Sequence, residues 1–272
     1  MYRNYSKINE DIKNNYKEAR QNQTLEYVKR VNDFDTKRNK YKINVWEVID
    51  RLNQFIDISD PDIMLPNSLH AFQSAEEARK NGEPEWFQLV CLLHDLGKIM
   101  YLWGREKDGM TNLKQWGIVG DTFIVGCPIP DTIVYPEFNI LNPDHIKYSS
   151  ENNINGIYET NCGLDKCIIS WGHDEYLYRV LKEQIKHNPE FKHSLPEEAL
   201  YIIRYHSLYL WHDKEEYQHL VNQKDKDNLN WLKKFNKYDL YTKKNMRTEY
   251  KQLREYYDLL LKSFFSTLDW YW

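Results

Sequence analysis

The sequence predicts an all-α, mostly helical fold, and three observations support that prediction. Apolar residues recur at helical spacing in several segments, and patterns typical of strands are scarce. Residues 83–100 are apolar almost all round until Gly97, as a helix through a protein core should be. The 272 residues contain no interior linker rich in Gly, Pro or Ser. We therefore expect one domain over residues 1–272.

Two amphipathic helices are predicted early in the chain. The segments TLEYVKRVNDF (24–34) and NVWEVIDRLNQFID (44–57) repeat apolar residues at the spacing that puts side chains on one helix face. We expect those faces to be buried. They consist of Leu25, Val28 and Val31 in the first segment and of Val45, Val48, Ile49 and Leu52 in the second.

Capping residues indicate helix ends in two further segments, PNSLHAFQSAEEARKNG (66–82) and SLPEEALYIIRYHSLYLW (194–211). A polar N-cap, a capping box and a terminal glycine are each typical of a helix boundary. We therefore expect one helix to begin near the start of each segment. The capping residues are Asn67 or Ser68 with a stop at Gly82 in the first segment, and Ser194 with Glu197 in the second.

A further helix, rich in aromatic residues, is predicted near the C-terminal end of the chain, whereas the middle of the chain is irregular. Residues 228–243 place three rings on one side of a helix. Between residues 103 and 165 the content of Gly, Pro and Asn rises and periodicity fades. We expect irregular loops there, with a short hairpin near GIVGDTFIVGC, residues 117–127. The three rings are those of Trp231, Phe235 and Tyr238.

Charge and composition exclude several classes of partner. The formal net charge of −4 leaves no basic excess to neutralise a phosphate backbone, so we expect no nucleic-acid partner. The N-terminus lacks the apolar core of a signal peptide, and no run approaches the roughly 20 apolar residues of a membrane span. We expect a cytoplasmic protein with no membrane partner. The cysteines form no C-x-x-C pair, which indicates incidental thiols rather than disulfides or zinc ligands. They are Cys91, Cys127, Cys162 and Cys167.

Titratable residues inside apolar segments predict a metal site. His94 and Asp95 interrupt the most apolar segment, and burying a charge costs several kcal/mol unless the charge is paired or binds a metal. Four further candidates lie in aromatic or aliphatic segments. Imidazole and carboxylate without thiolate favour iron or manganese, and Asp95 has two oxygens with which to bridge two ions. The candidate ligands are His70, His94, Asp95, His173, His206 and Asp239.

The residue pattern leaves alternatives open at these positions. A single histidine beside aromatic residues is more often a satisfied core residue than a ligand, and a single aspartate near a helix end is usually a cap. Asp174 follows His173 and makes a second His-Asp pair, which composition does not rank against Asp95. The remaining histidines lie in polar or loop-like contexts, which predicts surface positions. They are His145, His187, His193, His212 and His219.

The positions of His70, His94-Asp95 and Asp239 resemble the H…HD…D signature of the HD-domain superfamily, all-α metalloproteins that are mostly phosphohydrolases. The strings LPNSLHAFQSAE, LVCLLHDLGKIM, VGDTFIVGC, CGLDKCIISWGHDEYLY, IRYHSLYLWH and FNKYDLYTK resemble the myo-inositol oxygenase family much more closely. This resemblance runs from Arg3 to Asp239. It implies an HD-domain-like helical bundle around a buried di-iron site. It also implies an oxidoreductase that opens the myo-inositol ring with O2 to give D-glucuronate at a mixed-valent Fe(II)/Fe(III) centre.

The resemblance also implies a role for individual residues. One iron would take His70, His94 and Asp239, the other His173 and His206, with Asp95 as the bridge; Asp174 would not be a ligand. Lys98 and Asp95 would be catalytic, and residues 1–40 would form an arm and a helix over the active site. The family's substrate contacts fall on Arg3, Asp57, Ser59, Lys98, Gly120, Asp121, His206 and Ser207. Ile58 and the C-terminal FFSTLDWYW depart from the family's usual pattern.

Myo-inositol is a neutral polyol, and the implied contacts suit it. Carboxylates and hydroxyls bind its hydroxyl groups by hydrogen bonds, and Arg3 would add a planar donor fork. Lys98 lies about one helical turn beyond His94, where an ammonium could stabilise an alkoxide. A surface lysine at a helix end is the alternative. We expect a monomer whose partners are myo-inositol and O2.

Three other functions are compatible with parts of the pattern. An HD phosphohydrolase would share His70, His94, Asp95 and Asp239, but it needs several Lys or Arg residues aimed at a phosphate. Another di-iron HD oxygenase would cleave a phosphonate, which acidic contacts such as Asp57 would repel. A metal-stabilised binding module would show a metal effect on melting without turnover.

Overall fold

The computed structural model describes residues 10–36, 41–59, 66–149, 153–241 and 250–272. The α-helices in these ranges are α1 (Glu10–Asn22), α2 (Leu25–Thr36), α3 (Val45–Leu52), α4 (Asn67–Lys80), α5 (Glu85–Leu93), α6 (Pro143–Tyr148), α7 (His173–His187), α8 (Glu197–Tyr205), α9 (Tyr209–His212), α10 (Gln223–Tyr241) and α11 (Tyr250–Phe264). Short 3-10 helices cover Leu96–Trp103, Glu106–Asp108, Pro136–Leu141 and Leu164–Lys166. The two strands are β1 (Lys42–Asn44) and β2 (Asp269–Tyr271). The predicted mostly α-helical fold is therefore confirmed, and it is consistent with an HD-like bundle.

Both helices predicted early in the chain are present. Val28 and Val31 of α2 are buried, as is the apolar face of α3 that includes Val48 and Ile49. α3 begins where the Asn44 side chain accepts a hydrogen bond from the Trp46 backbone N–H. The 3.6-residue periodicity of the sequence thus identifies the faces that the core covers.

The N-cap predicted for α4 is wrong, whereas the predicted stop at Gly82 is confirmed, because α4 ends at Lys80 and Gly82 follows with a φ of +71°. Pro66 precedes the helix, and Asn67 and Ser68 are its first two residues. The Asn67 amide donates to Asp95, and the Ser68 hydroxyl donates to Asn53. Both side chains are therefore hydrogen-bonded to residues distant in sequence and do not cap the backbone N–H groups of α4.

The predicted capping box of the 194–211 segment is also wrong. The helix of this segment, α8, begins at Glu197 after Pro196, which occupies the capping position without a side-chain hydrogen bond. The Ser194 backbone N–H donates to the Phe264 carbonyl. A contact with the end of α11 therefore fixes the chain ahead of this helix.

Helix α5 lies at the centre of the molecule, where it packs against α4, α8, α10 and α11. Every side chain from Phe87 to Leu93 is buried. The single helix predicted for residues 83–100 is wrong, because the α-helix ends at Leu93 and a 3-10 helix resumes at Leu96. His94 and Asp95 occupy the junction, and their side chains therefore project at the end of a helix.

The aromatic side of α10 packs on α5. The rings of Trp231, Phe235 and Tyr238 have centroids 6.0, 6.3 and 5.5 Å from the centroid of Phe87. Such separations are typical of favourable aromatic pairs. The predicted one-sided arrangement of these rings is confirmed, and it holds α10 against the central helix.

The two strands pair antiparallel and connect early and late parts of the chain, with Ile43 opposite Trp270. The hairpin predicted for residues 117–127 is absent from that segment, which consists of turns and extended stretches. Instead, the Val125 N–H donates to the Ile168 carbonyl, and the Ser170 N–H donates to the Phe123 carbonyl. The extended part of this segment therefore pairs with the chain before α7 rather than with itself.

The four cysteines form no disulfide, as predicted, and three of them are buried. Among the described helices none has both the length and the apolar character needed to cross a membrane. Buried apolar side chains from Tyr27 to Trp272 form one hydrophobic cluster, and the polar site described next lies inside it.

Candidate dinuclear metal centre

The side chains predicted as metal ligands lie at or near helix ends that converge inside the protein. His94 follows the last residue of α5, and His206 follows the last residue of α8. His173 is the first residue of α7. His70 ends the first turn of α4, and Asp239 lies in the last turn of α10. Five separate helices thus each contribute one side chain to a common centre.

The first cluster comprises four ligand atoms. His70 Nε2 lies 2.9 Å from Asp239 Oδ1 and 4.0 Å from Asp95 Oδ2. His94 Nε2 lies 3.4 Å from each of the same two oxygens. Adjacent ligands at about 2.1 Å from one metal ion are roughly 3 Å apart in octahedral geometry. These atoms are therefore spaced to surround one ion.

The second cluster shares Asp95 with the first. His173 Nε2 lies 3.0 Å from His206 Nε2 and 3.2 Å from Asp95 Oδ1. Asp95 thus directs Oδ2 to the first cluster and Oδ1 to the second. A carboxylate in this position has the geometry to bridge two metal ions.

Backbone carbonyls fix the orientation of three of the four imidazoles. The Nδ1–H groups of His94, His173 and His206 donate to backbone carbonyls at 2.9, 2.8 and 2.9 Å. Histidine ligands in metal sites usually donate their second ring N–H in this way. Nε2 is therefore the nitrogen that each ring presents to the centre. Nε2 of His94 is buried and forms no hydrogen bond with any described residue.

The electrostatics of the site favour bound positive charge. Burial opposes ionisation of Asp95, but His94 and Lys98 outweigh it and hold the pKa of Asp95 well below its usual range. Burial lowers the pKa of His94, yet Asp95 and Asp239 outweigh this effect and raise it to about 10. Burial and the neighbouring histidines lower the pKa of His206. Two ionised carboxylates and four imidazoles in so small a volume fit a pair of metal cations.

Lys98 lies beside this centre and is only 5 % exposed. Its Nζ donates to Asp57 Oδ2 at 2.8 Å and to Asp95 Oδ2 at 2.9 Å. The two carboxylates outweigh the effect of burial and raise the pKa of Lys98. The structure therefore excludes the alternative of a surface lysine at a helix end.

A small cavity of about 50 Å³, partly open to solvent, adjoins the metal-ligating atoms. Of the predicted substrate contacts, Asp57, Ser59, Lys98, Gly120, His206 and Ser207 line it. Asp121 is not among the lining residues, and its carboxylate accepts a hydrogen bond from the Tyr16 hydroxyl at 3.0 Å. Arg3 lies outside the described residues.

Three lining residues were not identified from the sequence: Asn67, Tyr209 and Leu240. The sequence predicts Asn67 as a helix cap, and Tyr209 is one of many aromatic residues in a helical segment. Leu240 follows Asp239, and adjacent residues on a helix do not share a face, which hides it from periodicity arguments. Only the meeting of α4, α9 and α10 brings these three side chains to one wall.

The surface position predicted for His212 is wrong. His212 is 2 % exposed, its Nε2 lies 3.0 Å from the His206 carbonyl, and its Nδ1 lies 2.9 Å from the Asn236 amide nitrogen. Burial lowers its pKa to about 4, so the ring is neutral and donates through Nε2 while accepting through Nδ1. Asp213 and Lys214 follow His212 directly, and such a polar context predicts a surface position. His212 connects the end of α8 to α10.

The two His-Asp pairs occupy different environments. Asp174 is buried, and its Oδ1 accepts a hydrogen bond from the Glu175 backbone N–H. Burial raises its pKa to about 6. Neither cluster of candidate ligand groups among the described residues includes Asp174, whereas both include Asp95. Position along the chain therefore does not distinguish these aspartates, but their directions in space do.

A buried ion pair connects the helices that carry the second cluster. Arg204 Nε on α8 lies 2.7 Å from Glu175 Oε2 on α7, and both side chains are at least nine-tenths buried. Arg204 is two residues before His206, and Glu175 is two residues after His173. The pair therefore ties the end of α8 to the start of α7 beside the two imidazoles.

The helical fold and this site together define a class: an all-α protein with two His clusters that share one carboxylate, arranged to hold two metal ions. The model of the family described as myo-inositol oxygenase matches residues 9–271. The chain belongs to the myo-inositol oxygenase family, and it is a metal-dependent oxidoreductase.

Relatives from animals and plants agree with this assignment. Inositol oxygenase from Danio rerio is 43 % identical over 253 residues, which cover 92 % of this chain and 85 % of that protein. Inositol oxygenase from Rattus norvegicus is 42 % identical and covers 97 % of this chain and 88 % of that protein. Inositol oxygenase 1 from Arabidopsis thaliana is 41 % identical, with coverages of 91 % and 76 %. The similarity therefore extends over nearly the whole chain.

Proposed function

We propose that this chain cleaves the ring of myo-inositol with O2 to give D-glucuronate at two iron ions in a mixed-valent Fe(II)/Fe(III) state. The overall reaction is C6H12O6 + O2 → C6H10O7 + H2O, a four-electron oxidation. The observation that supports this function most directly is the position of Asp95. It faces one histidine cluster with each oxygen and contacts Lys98 beside an open cavity.

The proposed ligands divide into two sets. His70, His94 and Asp239 would hold one iron, and His173 and His206 the other, with Asp95 between them. Nitrogen and carboxylate donors without thiolate suit iron. Iron bound there would supply the redox chemistry that activates O2 and oxidises the polyol. The protein's own contribution is to orient the substrate and to exclude water.

Lys98 is proposed as the residue that stabilises charge on the substrate. An ammonium has three N–H donors, and Asp57 and Asp95 accept from Lys98 at 2.8 and 2.9 Å. The remaining N–H is free to meet a substrate hydroxyl oxygen in the cavity. Negative charge that develops on this oxygen would be stabilised by the buried ammonium. Asp57 would then orient Lys98 as well as contact substrate.

The polar groups of the cavity suit a neutral polyol. Ser59 and Ser207 offer hydroxyls, Asp57 offers a carboxylate, and Gly120 adds backbone groups to the wall at a φ of +122°, a conformation that favours glycine. Each of these groups can pair with a hydroxyl of the ring. Arg3 and Asp121 are proposed as further contacts from the family resemblance alone.

The phosphohydrolase and phosphonate alternatives fit this cavity less well. Lys98 is the sole Lys or Arg among the described lining residues, and two carboxylates already neutralise it. A phosphate or phosphonate would bring further negative charge beside Asp57 and Asp95. Such substrates are usually bound by several cationic donors, and the cavity wall offers acceptors instead.

Oxygen uptake tests the proposal. Protein reconstituted anaerobically with Fe(II) should consume one O2 per D-glucuronate formed, and only when myo-inositol is present. Asp95→Asn should lose most of its iron and its activity. Asp174→Asn, the matched change in the other His-Asp pair, should retain both. Iron binding without inositol-dependent uptake would refute the proposed reaction, and an iron-replete Asp95→Asn protein would refute the bridge.

Organisation and assembly belong to the same proposal. We propose one domain over residues 1–272 in which residues 1–40 cover the active site, and a cytoplasmic monomer. Residues of α1 support this arrangement, since Tyr16 contacts Asp121 and Asn15 donates to the Val119 carbonyl at 3.4 Å, next to the cavity residue Gly120. Analytical ultracentrifugation of the iron-loaded protein should give a mass near 33.1 kDa; a stable dimer would contradict the monomer.

A further inference from the structure

The four imidazoles of the metal centre differ in one respect. Three of them donate Nδ1–H to a backbone carbonyl, but Nδ1 of His70 is buried and has no hydrogen-bond partner among the described residues. A buried ring N–H without an acceptor is unfavourable, and a metal-ligating histidine nearly always has one. His70 therefore needs an acceptor that the protein backbone does not supply.

An unpaired acceptor lies three residues earlier on the same helix. Oδ1 of Asn67 is also buried and accepts no hydrogen bond from the part of the chain that the structure describes. Its Nδ2 donates to Asp95 Oδ2 at 2.6 Å. This bond fixes which way the amide points, because the reverse orientation would set its oxygen against a carboxylate. Oδ1 is therefore directed away from Asp95.

The two unpaired atoms are complementary. Residues three apart on a helix lie on the same face, so His70 and Asn67 are neighbours on the side of α4 that borders the cavity. One is a donor and the other an acceptor. A single water molecule that accepts from Nδ1–H and donates to Oδ1 would satisfy both, and buried waters commonly serve such pairs.

We propose that Asn67 is a positioning residue of the metal centre, which holds Asp95 directly through Nδ2–H and His70 through one water molecule at Oδ1. This inference rests on the proposed ligand set. It assigns to Asn67 the function that backbone carbonyls perform for the other three histidines. Asn67 would thereby fix the tautomer of His70 and the direction of the bridging carboxylate together.

Metal affinity tests this inference apart from catalysis. Fe(II) binding by the whole chain is measured anaerobically against a chelator of known affinity, for the native protein, Asn67→Ala and Asn67→Asp. Asn67→Ala should weaken binding about 10- to 100-fold, with a smaller effect on the KM for myo-inositol. Asn67→Asp should weaken it at least as much, because a carboxylate replaces the donor that faces Asp95.

Ser68→Ala is the matched control, since it removes a hydrogen bond of the next residue on α4 to Asn53, away from the centre. It should bind iron as the native protein does. Native-like affinity in Asn67→Ala would overturn the inference. A rise in KM with unchanged metal affinity would also overturn it, because Oδ1 would then serve the substrate. Failure of the native protein to bind two irons would instead refute the ligand set.

Discussion

Gly97 is the position where one added methyl group should disturb the metal centre most selectively. A Cβ on Gly97 would lie 1.9 Å from the His173 carbonyl oxygen and 2.7 Å from its carbon. Both are backbone atoms, so no side-chain rotation relieves the overlap. Gly97 is not among the glycines with positive φ. The close approach of the 3-10 helix to α7 is therefore what requires glycine there.

The size of the disturbance follows from these distances. Carbon and oxygen atoms in contact are about 3.3 Å apart or more, so Gly97→Ala must separate the two segments by roughly 1.4 Å. Asp95 Oδ1 and His173 Nε2 lie on either side of this contact at 3.2 Å. Metal–ligand distances in protein sites stay within about 0.2 Å of their usual values. The second cluster should therefore lose its metal, and overpacking should cost ~1–3 kcal/mol of stability.

The assay compares Gly97→Ala with Gly104→Ala at the other end of the same 3-10 helix. Gly104 has φ +63° and no heavy atom within 4 Å of a built Cβ, so alanine there costs about 1–2 kcal/mol of left-handed strain without a clash. Iron content after anaerobic reconstitution and the midpoint of urea unfolding are measured for both. The control should keep two irons. A Gly97→Ala protein with two tightly bound irons would refute the reasoning.

Three further substitutions test separate parts of the site. Lys98→Ala should retain iron but lower kcat ~10²- to 10³-fold, because the buried ammonium no longer stabilises substrate charge; near-native turnover would contradict this role. Arg204→Met removes one of the two cations that pair with Glu175 and leaves only the partly exposed Arg179. It should cost ~1–3 kcal/mol in urea unfolding, of which the double variant with Glu175→Gln should recover a part; no recovery would mean that the pair is not the cause. His212→Phe removes the donor to the His206 carbonyl and should lower stability by ~1–3 kcal/mol, while an unchanged unfolding midpoint would argue against a buried hydrogen bond there.

Local pattern was a reliable guide to helices and a poor one to their ends. The faces of α2 and α3 follow from periodicity because burial of one side of a helix requires a 3.6-residue repeat. The caps predicted at Ser68 and Ser194 are wrong because both residues instead contact distant parts of the chain. The hairpin at residues 117–127 is wrong for the same reason, since its extended part pairs with residues before α7. Contacts of long sequence separation are invisible to a local window.

The sequence by itself determined which groups the protein offers to a metal ion. They are histidines and aspartates in apolar helices, where burial of a carboxylate is unfavourable without a cation. It could not rank Asp95 against Asp174, and it misplaced His212. Those questions were decided by the tertiary structure, because the direction of a side chain at a helix end depends on where the chain turns and on what packs against it. The end of α5 at Leu93 turns Asp95 towards both histidine clusters. The contact of Gly97 with His173 then sets how closely those clusters approach.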